Sequence, residues 1–329
     1  MAKESLPIID MSGLQVPGRS AEAMAVAEAV YRACVEVGFF YVKGHGIDQV
    51  IIDDALDVMS EFFHQPLDCK RRYAVNRNHR GFHAIGGAVM PGAAHADYKE
   101  FFQIGLELAE DDPDVLAGEA LRGPNQWPDQ PADFRRAMSA YFDAVGACGR
   151  QLLGAVALAF DLPRDFFAPR YTKPLQRTQG LYYPKRRDGG PADEFGLAPH
   201  TDYGCLTFLY QQPLRPGEDT TGGLEVQTFD GDWIRVPAIP GTFVINVGDL
   251  LQRWTNDVFR STWHRVISRN HGERLSIATF FDPDFKAAID ARDLFTEPAF
   301  VPKYAPTTSG GHILGRIAES FDYRQELNV

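Results

Sequence analysis

Residues 224–247 read LEVQTFDGDWIRVPAIPGTFVINV, and the spacing of their turn residues decides the fold class. Three short apolar and β-branched runs, 224–228, 233–236 and 242–247, are separated by Gly, Pro and Asp. Runs of this length suit buried or half-buried strands and are too short for ordinary helices. Asp230-Gly231 between the first two marks a hairpin, because both residues tolerate positive φ. The pattern continues on either side, with candidate strands at 179–183, 206–210, 262–268 and 274–281. Short strands at such regular intervals predict an antiparallel sandwich or barrel across the second half of the chain.

The first half reads differently. Leu6-Pro7-Ile8-Ile9-Asp10 suggests a short strand, and Ala23, Ala27, Val30, Cys34 and Val37 recur at helical spacing within 21–37. Gly38-Phe39-Phe40-Tyr41-Val42 reads as a buried strand that ends at Gly44-His45-Gly46, and further helical patterns run over 51–63 and 132–160. This half is expected to be mostly helical. The Pro/Gly-rich stretches 123–131 and 185–191 read as loops, not as interdomain linkers. One structural unit is therefore expected, with an amino-terminal region 1–130 packed on a core formed by 131–329.

Hydrophobic residues make up 44% of the 329 and aromatics 12%, enough for a sizeable core and too much for a disordered chain. The net charge of -11 repels phosphate backbones, and Lys70-Arg71-Arg72 and Lys185-Arg186-Arg187 are too short to form a basic stripe. Both patches read as solvated surface, and no nucleic-acid partner is expected. Cys34, Cys69, Cys148 and Cys205 lack C-x-x-C spacing, and Met1-Ala2-Lys3-Glu4-Ser5 lacks the apolar core of a secretion signal. Residues 152–160, the best candidate for an apolar span, stop at Asp161, far short of the roughly 20 residues that cross a bilayer. These features predict a soluble cytoplasmic protein with reduced thiols and no membrane partner.

Metal-ligating potential comes from His-x-acid pairs, since residues i and i+2 of an extended chain point to the same side. With nine His and 44 acidic residues, about one such pair is expected by chance. Three occur: His95-x-Asp97, His200-x-Asp202 and His271-x-Glu273. The last sits in a polar turn, Arg269-Asn270-His271-Gly272-Glu273, which favours surface exposure. His95 and Asp97 follow a Pro/Gly/Ala loop and suit a structural or substrate-side role. His200-Thr201-Asp202 leads directly into the apolar run 206–210, and His264 downstream offers a third ligand. By itself His264 reads as an ordinary core histidine. Two imidazoles and one carboxylate on one side of a metal leave open positions for substrate and O2. Ten residues later, strand alternation places Arg274 and Ser276 on one face with Ala278 and Phe280. A buried guanidinium beside a hydroxyl suits a carboxylate, which an internal acid or a ligand could supply.

The ordered set of His200-x-Asp202, His264 and Arg274-x-Ser276, with the 6–10 and 38–47 segments and Asp97-x-Lys99-Glu100, spans nearly the whole chain. It resembles the isopenicillin N synthase-like branch of the Fe(II)/2-oxoglutarate-dependent oxygenases. That resemblance implies a mainly β fold with packed helices, whose core is a double-stranded β-helix, a cupin-like jelly roll. It also implies that His200, Asp202 and His264 ligate Fe(II), and that Arg274 and Ser276 bind the distal carboxylate of the cosubstrate 2-oxoglutarate. Tyr183, in Leu181-Tyr182-Tyr183-Pro184, matches a tyrosine that contacts this carboxylate in relatives, which often carry Asn where this chain has Leu181. The implied reaction uses O2 to hydroxylate, desaturate or cyclise a small organic substrate, with release of succinate and CO2. Two other readings fit the same residues: an iron oxidase of the isopenicillin N synthase type that needs no 2-oxoglutarate, and a non-catalytic metal-binding barrel. Phe82, His83, Lys99, Phe102 and the segment after Phe281 are candidate walls for the substrate.

Overall fold

The computed structural model describes residues 5–16, 18–86, 97–185, 195–213, 223–267 and 272–320. Its first secondary elements are strand β1 (Ile8–Asp10), helix α1 (Ala21–Glu36) and strand β2 (Phe39–Lys43). Ser20 caps α1 by accepting from the Ala23 amide at 3.1 Å. The helix ends at Gly38, whose amide reaches back to the Ala33 carbonyl and whose φ of 75° turns the chain into β2. Asp48 likewise caps α2 (Gln49–Phe63). Then follow α3 (Leu67–Arg71), β3 (Gly81–His83), β4 (Glu100–Gly105), α4 (Pro113–Leu116) and the long α5 (Phe134–Ala159).

The second half supplies β5 (Arg177–Tyr183), β6 (Phe195–His200), β7 (Leu206–Gln211), β8 (Leu224–Gln227), β9 (Trp233–Arg235) and β10 (Phe243–Val247). After these come α6 (Asp249–Trp254), β11 (His264–Ile267), β12 (Arg274–Phe281), the short pair β13 (Ala288–Ile289) and β14 (Thr307–Thr308), and α7 (Ser309–Ser320). The predicted hairpin forms at Gly231, with β8 and β9 paired from Gln227↔Trp233.

Two sheets make the jelly roll. The major sheet has eight strands in the order β1-β2-β10-β7-β12-β5-β4-β3, and the minor sheet runs β6-β11-β8-β9. One apolar cluster lies between the major sheet and helices α1, α2 and α5, and includes Phe40, Val42, Phe208, Ile245 and Ile277. A second fills the space between the sheets, with Tyr41, Leu181, Tyr183 and Val244 meeting Leu224, Val226 and Val266. The major sheet is thus covered on both faces, which explains why Phe243–Val247 is buried at every position and shows no alternation.

The first half is less helical than its periodicity suggests, because β1 to β4 all join the major sheet. Lys70 also departs from expectation. Instead of being solvated it turns inward to Glu100 at 2.5 Å and to the Phe63 carbonyl. Arg186 and Arg187 lie outside the described residues. No helix among the described residues is long and apolar enough to cross a membrane.

Candidate metal and cosubstrate site

The two histidines meet because β6 and β11 are antiparallel neighbours whose register sets His264 directly opposite His200. Their ring centroids are 4.1 Å apart. Each Nδ1 faces a backbone carbonyl, Ala198 at 2.8 Å and Thr262 at 3.1 Å. A carbonyl only accepts, so each Nδ1 carries the proton and each Nε2 presents its lone pair, the arrangement a metal requires.

Asp202 lies on the turn that carries the chain from the minor sheet into the major one. Its backbone carbonyl accepts from the Asp249 amide at 2.7 Å, tying the turn to the start of α6. Its Oδ2 accepts from Thr207 Oγ1 at 2.5 Å and Asn246 Nδ2 at 2.6 Å. Its Oδ1 is 3.7 Å from both His200 Nε2 and His264 Nε2. One oxygen is held by the protein and the other converges with two imidazole lone pairs. Burial opposes ionisation of Asp202, yet the positive charge that His264 or His200 would carry if protonated, together with the hydrogen bonds from Asn246 and Thr207, holds its pKa below the ordinary value. Burial, reinforced by the neighbouring His264, lowers His200 to about 3, which leaves its imidazole neutral at physiological pH, as metal ligation requires. Among the described residues this is the one cluster of three His, Cys, Asp or Glu side chains close enough to share a metal. A larger groove of about 600 Å³, bordered by Leu6, Phe229 and Trp263, has no such cluster among the described residues.

The other His-x-acid pairs behave differently. His95 and His271 lie outside the described residues. Asp97 is buried and accepts from the Ala198 amide at 3.0 Å and from Lys99 Nζ at 2.8 Å, which bolts the start of β4 to β6. Glu273 meets Tyr182 and His64 at the surface.

Farther along the inner face, Arg274 pairs with Tyr183 across β12 and β5, and Ser276 with Leu181. Burial keeps the Tyr183 hydroxyl protonated by pushing its pKa up, with Ser276 as a hydrogen-bond partner. Desolvation lowers the Arg274 pKa. Its side-chain partner is the neutral Gln211, at 3.3 Å, and no acid among the described residues pairs with it. An enclosed guanidinium without a carboxylate, next to two hydroxyls, fits the distal carboxylate of 2-oxoglutarate. Leu181, where relatives often carry Asn, is buried in the apolar cluster between the sheets and contributes no polar contact.

Of the expected substrate walls, Lys99 lines the cavity beside His200 and Asp202, together with Phe101, Arg177, Gln179, Phe280 and Ile317. Phe82 and Phe102 do not. They pair across β3 and β4 on the outer face and pack into the helix-side core, where Phe102 meets Phe62 and Phe134. His83 points inward but is buried behind Phe101, stacked at 3.9 Å. Sequence reasoning missed Thr207 and Asn246. Asn246 is the lone polar residue of its strand, which is the signal that could have found it.

Two family models match the chain: the non-haem dioxygenase in morphine synthesis N-terminal model over residues 6–130, and the 2OG-Fe(II) oxygenase superfamily model over residues 174–283. A homoarginine-6-hydroxylase of Glycine max is 31% identical over 331 residues, covering 96% of this chain and 97% of the relative. A 2-oxoglutarate-Fe(II) type oxidoreductase of Emericella nidulans is 31% identical over 338 residues, covering 99% and 95%. Among solved structures, a full-length Neurospora crassa protein crystallised in complex with alpha-KG and thymine superposes with a TM-score of 0.82 at 27% identity, over 97% of this chain and 98% of that one. The chain therefore belongs to the Fe(II)- and 2-oxoglutarate-dependent oxygenases, the dioxygenase superfamily whose double-stranded β-helix it shares.

Proposed function

We propose that His200, Asp202 and His264 hold Fe(II), that Arg274, Ser276 and Tyr183 hold the distal carboxylate of 2-oxoglutarate, and that the enzyme hydroxylates a small organic molecule. The observation that carries this reading is the split duty of Asp202, with Oδ2 bonded to Thr207 and Asn246 and Oδ1 set 3.7 Å from each Nε2. Once bound, Fe(II) and 2-oxoglutarate supply a strong oxidant from O2, with succinate and CO2 as by-products. The protein's part is positioning. The Ala198 and Thr262 carbonyls fix the imidazole tautomers, Arg274 neutralises the far end of the cosubstrate, and Phe101, Phe280 and Ile317 keep the reacting C–H bond in apolar surroundings. Of the named relatives, the Glycine max protein is a homoarginine-6-hydroxylase and the Neurospora crassa protein is seen with thymine, and the size of these two molecules supports a small polar substrate. The four cysteines are free thiols, which supports a reducing cytoplasmic setting. Because β1 to β4 belong to the same sheet as the later strands, residues 1–130 and 131–329 act as one unit.

Anaerobic mixing of Fe(II), 2-oxoglutarate and enzyme should give a weak visible metal-to-ligand charge-transfer band. His200→Ala and His264→Ala should abolish the band and turnover, while His95→Ala and His271→Ala keep both. Loss of the band in either of the latter two, in a folded protein, would assign the metal to a different His-x-acid pair.

A further inference from the structure

Beside the metal ligands, the inner wall carries polar groups whose orientation is set by the backbone. Strand β4 presents Phe101 and Gln103 inward, opposite Leu181 and Gln179 of β5. Gln103 Nε2 donates to the His79 carbonyl, which can only accept. Gln103 must therefore turn its own Oε1 toward β5, where it accepts from Gln179 Nε2 at 2.7 Å. This relay fixes the second amide as well. With its nitrogen committed to Gln103, Gln179 is left with its carbonyl oxygen as the acceptor it can offer to the cavity it lines.

Lys99 lines the same cavity and is buried. Its ammonium has three protons, and Asp97 Oδ2 at 2.8 Å is its one acceptor among the described residues. Asp97 Oδ1 is occupied by the Ala198 amide, so the lysine is held from behind and its remaining protons need an acceptor. The cavity thus offers one fixed acceptor and one fixed donor between the apolar surfaces of Phe101, Leu197, Phe280 and Ile317.

Charge decides what kind of molecule bridges them. Lys99 is balanced by Asp97, and Arg177 by Asp282 at 3.1 Å. With cofactors in place, the two charges of Fe(II) and that of Arg274 cancel the 2-oxoglutarate dianion and Asp202. A charged substrate would add an uncompensated charge beside the buried Lys99, Arg177 and Asp202, at a desolvation cost.

We infer that the cavity selects a neutral molecule with an N–H adjacent to a carbonyl, an amide, imide or ureide. The N–H donates to Gln179 Oε1 and the carbonyl accepts from Lys99 Nζ. This inference rests on the metal and cosubstrate reading proposed above.

The test is calorimetric titration of the anaerobic Fe(II)–2-oxoglutarate holoenzyme with uracil, hydantoin, glutarimide and 2-pyrrolidinone, each beside its fully N-methylated counterpart, and with glutarate as the charged control. At least one unsubstituted ring should bind about tenfold or more tighter than its N-methylated form, the scale of a lost hydrogen bond that leaves a buried acceptor unpaired. Gln179→Leu should erase that preference, and Lys99→Met should weaken the unsubstituted ring by a similar factor. Equal binding of the methylated forms, preference that survives Gln179→Leu, or selective binding of glutarate overturns the inference, as does failure of all four rings to bind. The charge-transfer band of the parent enzyme separates the two levels of failure. A normal band without ring binding sinks only the substrate class, whereas a missing band sinks the site on which it rests.

Discussion

Asp202 shows what single residues contribute and how much of that the sequence reveals. Its partnership with two histidines was legible from order and context, because His200-x-Asp202 precedes a strand and His264 follows at a distance. The clamp on its other oxygen was not, since Thr207 and Asn246 are brought to it by the pairing of β7 and β10, with Asn246 opposite Thr207. Supporting partners of this kind typically change metal affinity about 10–100-fold. Asn246→Ala should therefore weaken Fe(II) binding within that range in a chelator competition, with unchanged circular dichroism, and affinity within twofold of the parent would deny the clamp its role. Arg274 makes a separate prediction. Removing one partner of an enclosed charge pair costs about 3–5 kcal/mol, which is roughly two to three or more decades in affinity. Arg274→Ala should raise the 2-oxoglutarate Kd by that order while Fe(II) still binds, and pyruvate, which lacks the distal carboxylate, should lose its disadvantage. Arg274→Lys should recover only part of the affinity, because a point charge lacks the planar fork.

At the level of elements, the strands with clean punctuation were readable and those with unusual surroundings were not. The runs 206–210, 242–247 and 274–281 match β7, β10 and β12 closely. Strand β6 escaped notice because Gly196 and Pro199 interrupt Phe195–His200, although this strand carries His200, the first of the proposed metal ligands. Strand β4 was hidden for the opposite reason: all six of its residues are buried, with Phe101 facing the barrel and Phe102 the helices, so no alternation survives. The junction of α1 and β2 offers a sharp test. A Cβ on Gly38 would lie 2.1 Å from the Arg260 carbonyl oxygen, at a φ of 75°. The backbone conformation alone costs a non-glycine residue about 1–2 kcal/mol, and the clash adds to it. Gly38→Ala should lower the urea midpoint by at least that equivalent, whereas Gly18→Ala, with a similar φ but open space, should cost less. Equal effects would mean that the contact with Arg260 is unimportant.

For the molecule as a whole, the sequence suggested a helical first half beside a β second half, and the structure weaves them together. Strands β1 and β2 extend the major sheet at one edge and β3 and β4 at the other, while α7 places Ile313 and Ile317 in the cluster between the sheets. No local pattern announces such long-range pairing, because it is set by which sheet edges remain open. Unfolding in urea should accordingly appear as one transition, coincident in fluorescence and far-UV circular dichroism. Ile313→Ala should shift that whole transition by about 2–5 kcal/mol, the usual cost of truncating a fully buried aliphatic side chain. Two separated transitions, with only one sensitive to Ile313, would show that α7 is not part of the cooperative core. The central claim, that one barrel mouth assembles the metal from His200, Asp202 and His264 and the cosubstrate from Arg274, is tested most directly by anomalous diffraction at the iron edge. Crystals grown anaerobically with Fe(II) and 2-oxoglutarate should show a single strong peak bonded to His200 Nε2, Asp202 Oδ1 and His264 Nε2, with the distal carboxylate of 2-oxoglutarate on Arg274. A peak at any other histidine, or a cosubstrate whose carboxylate ignores Arg274, would contradict the account.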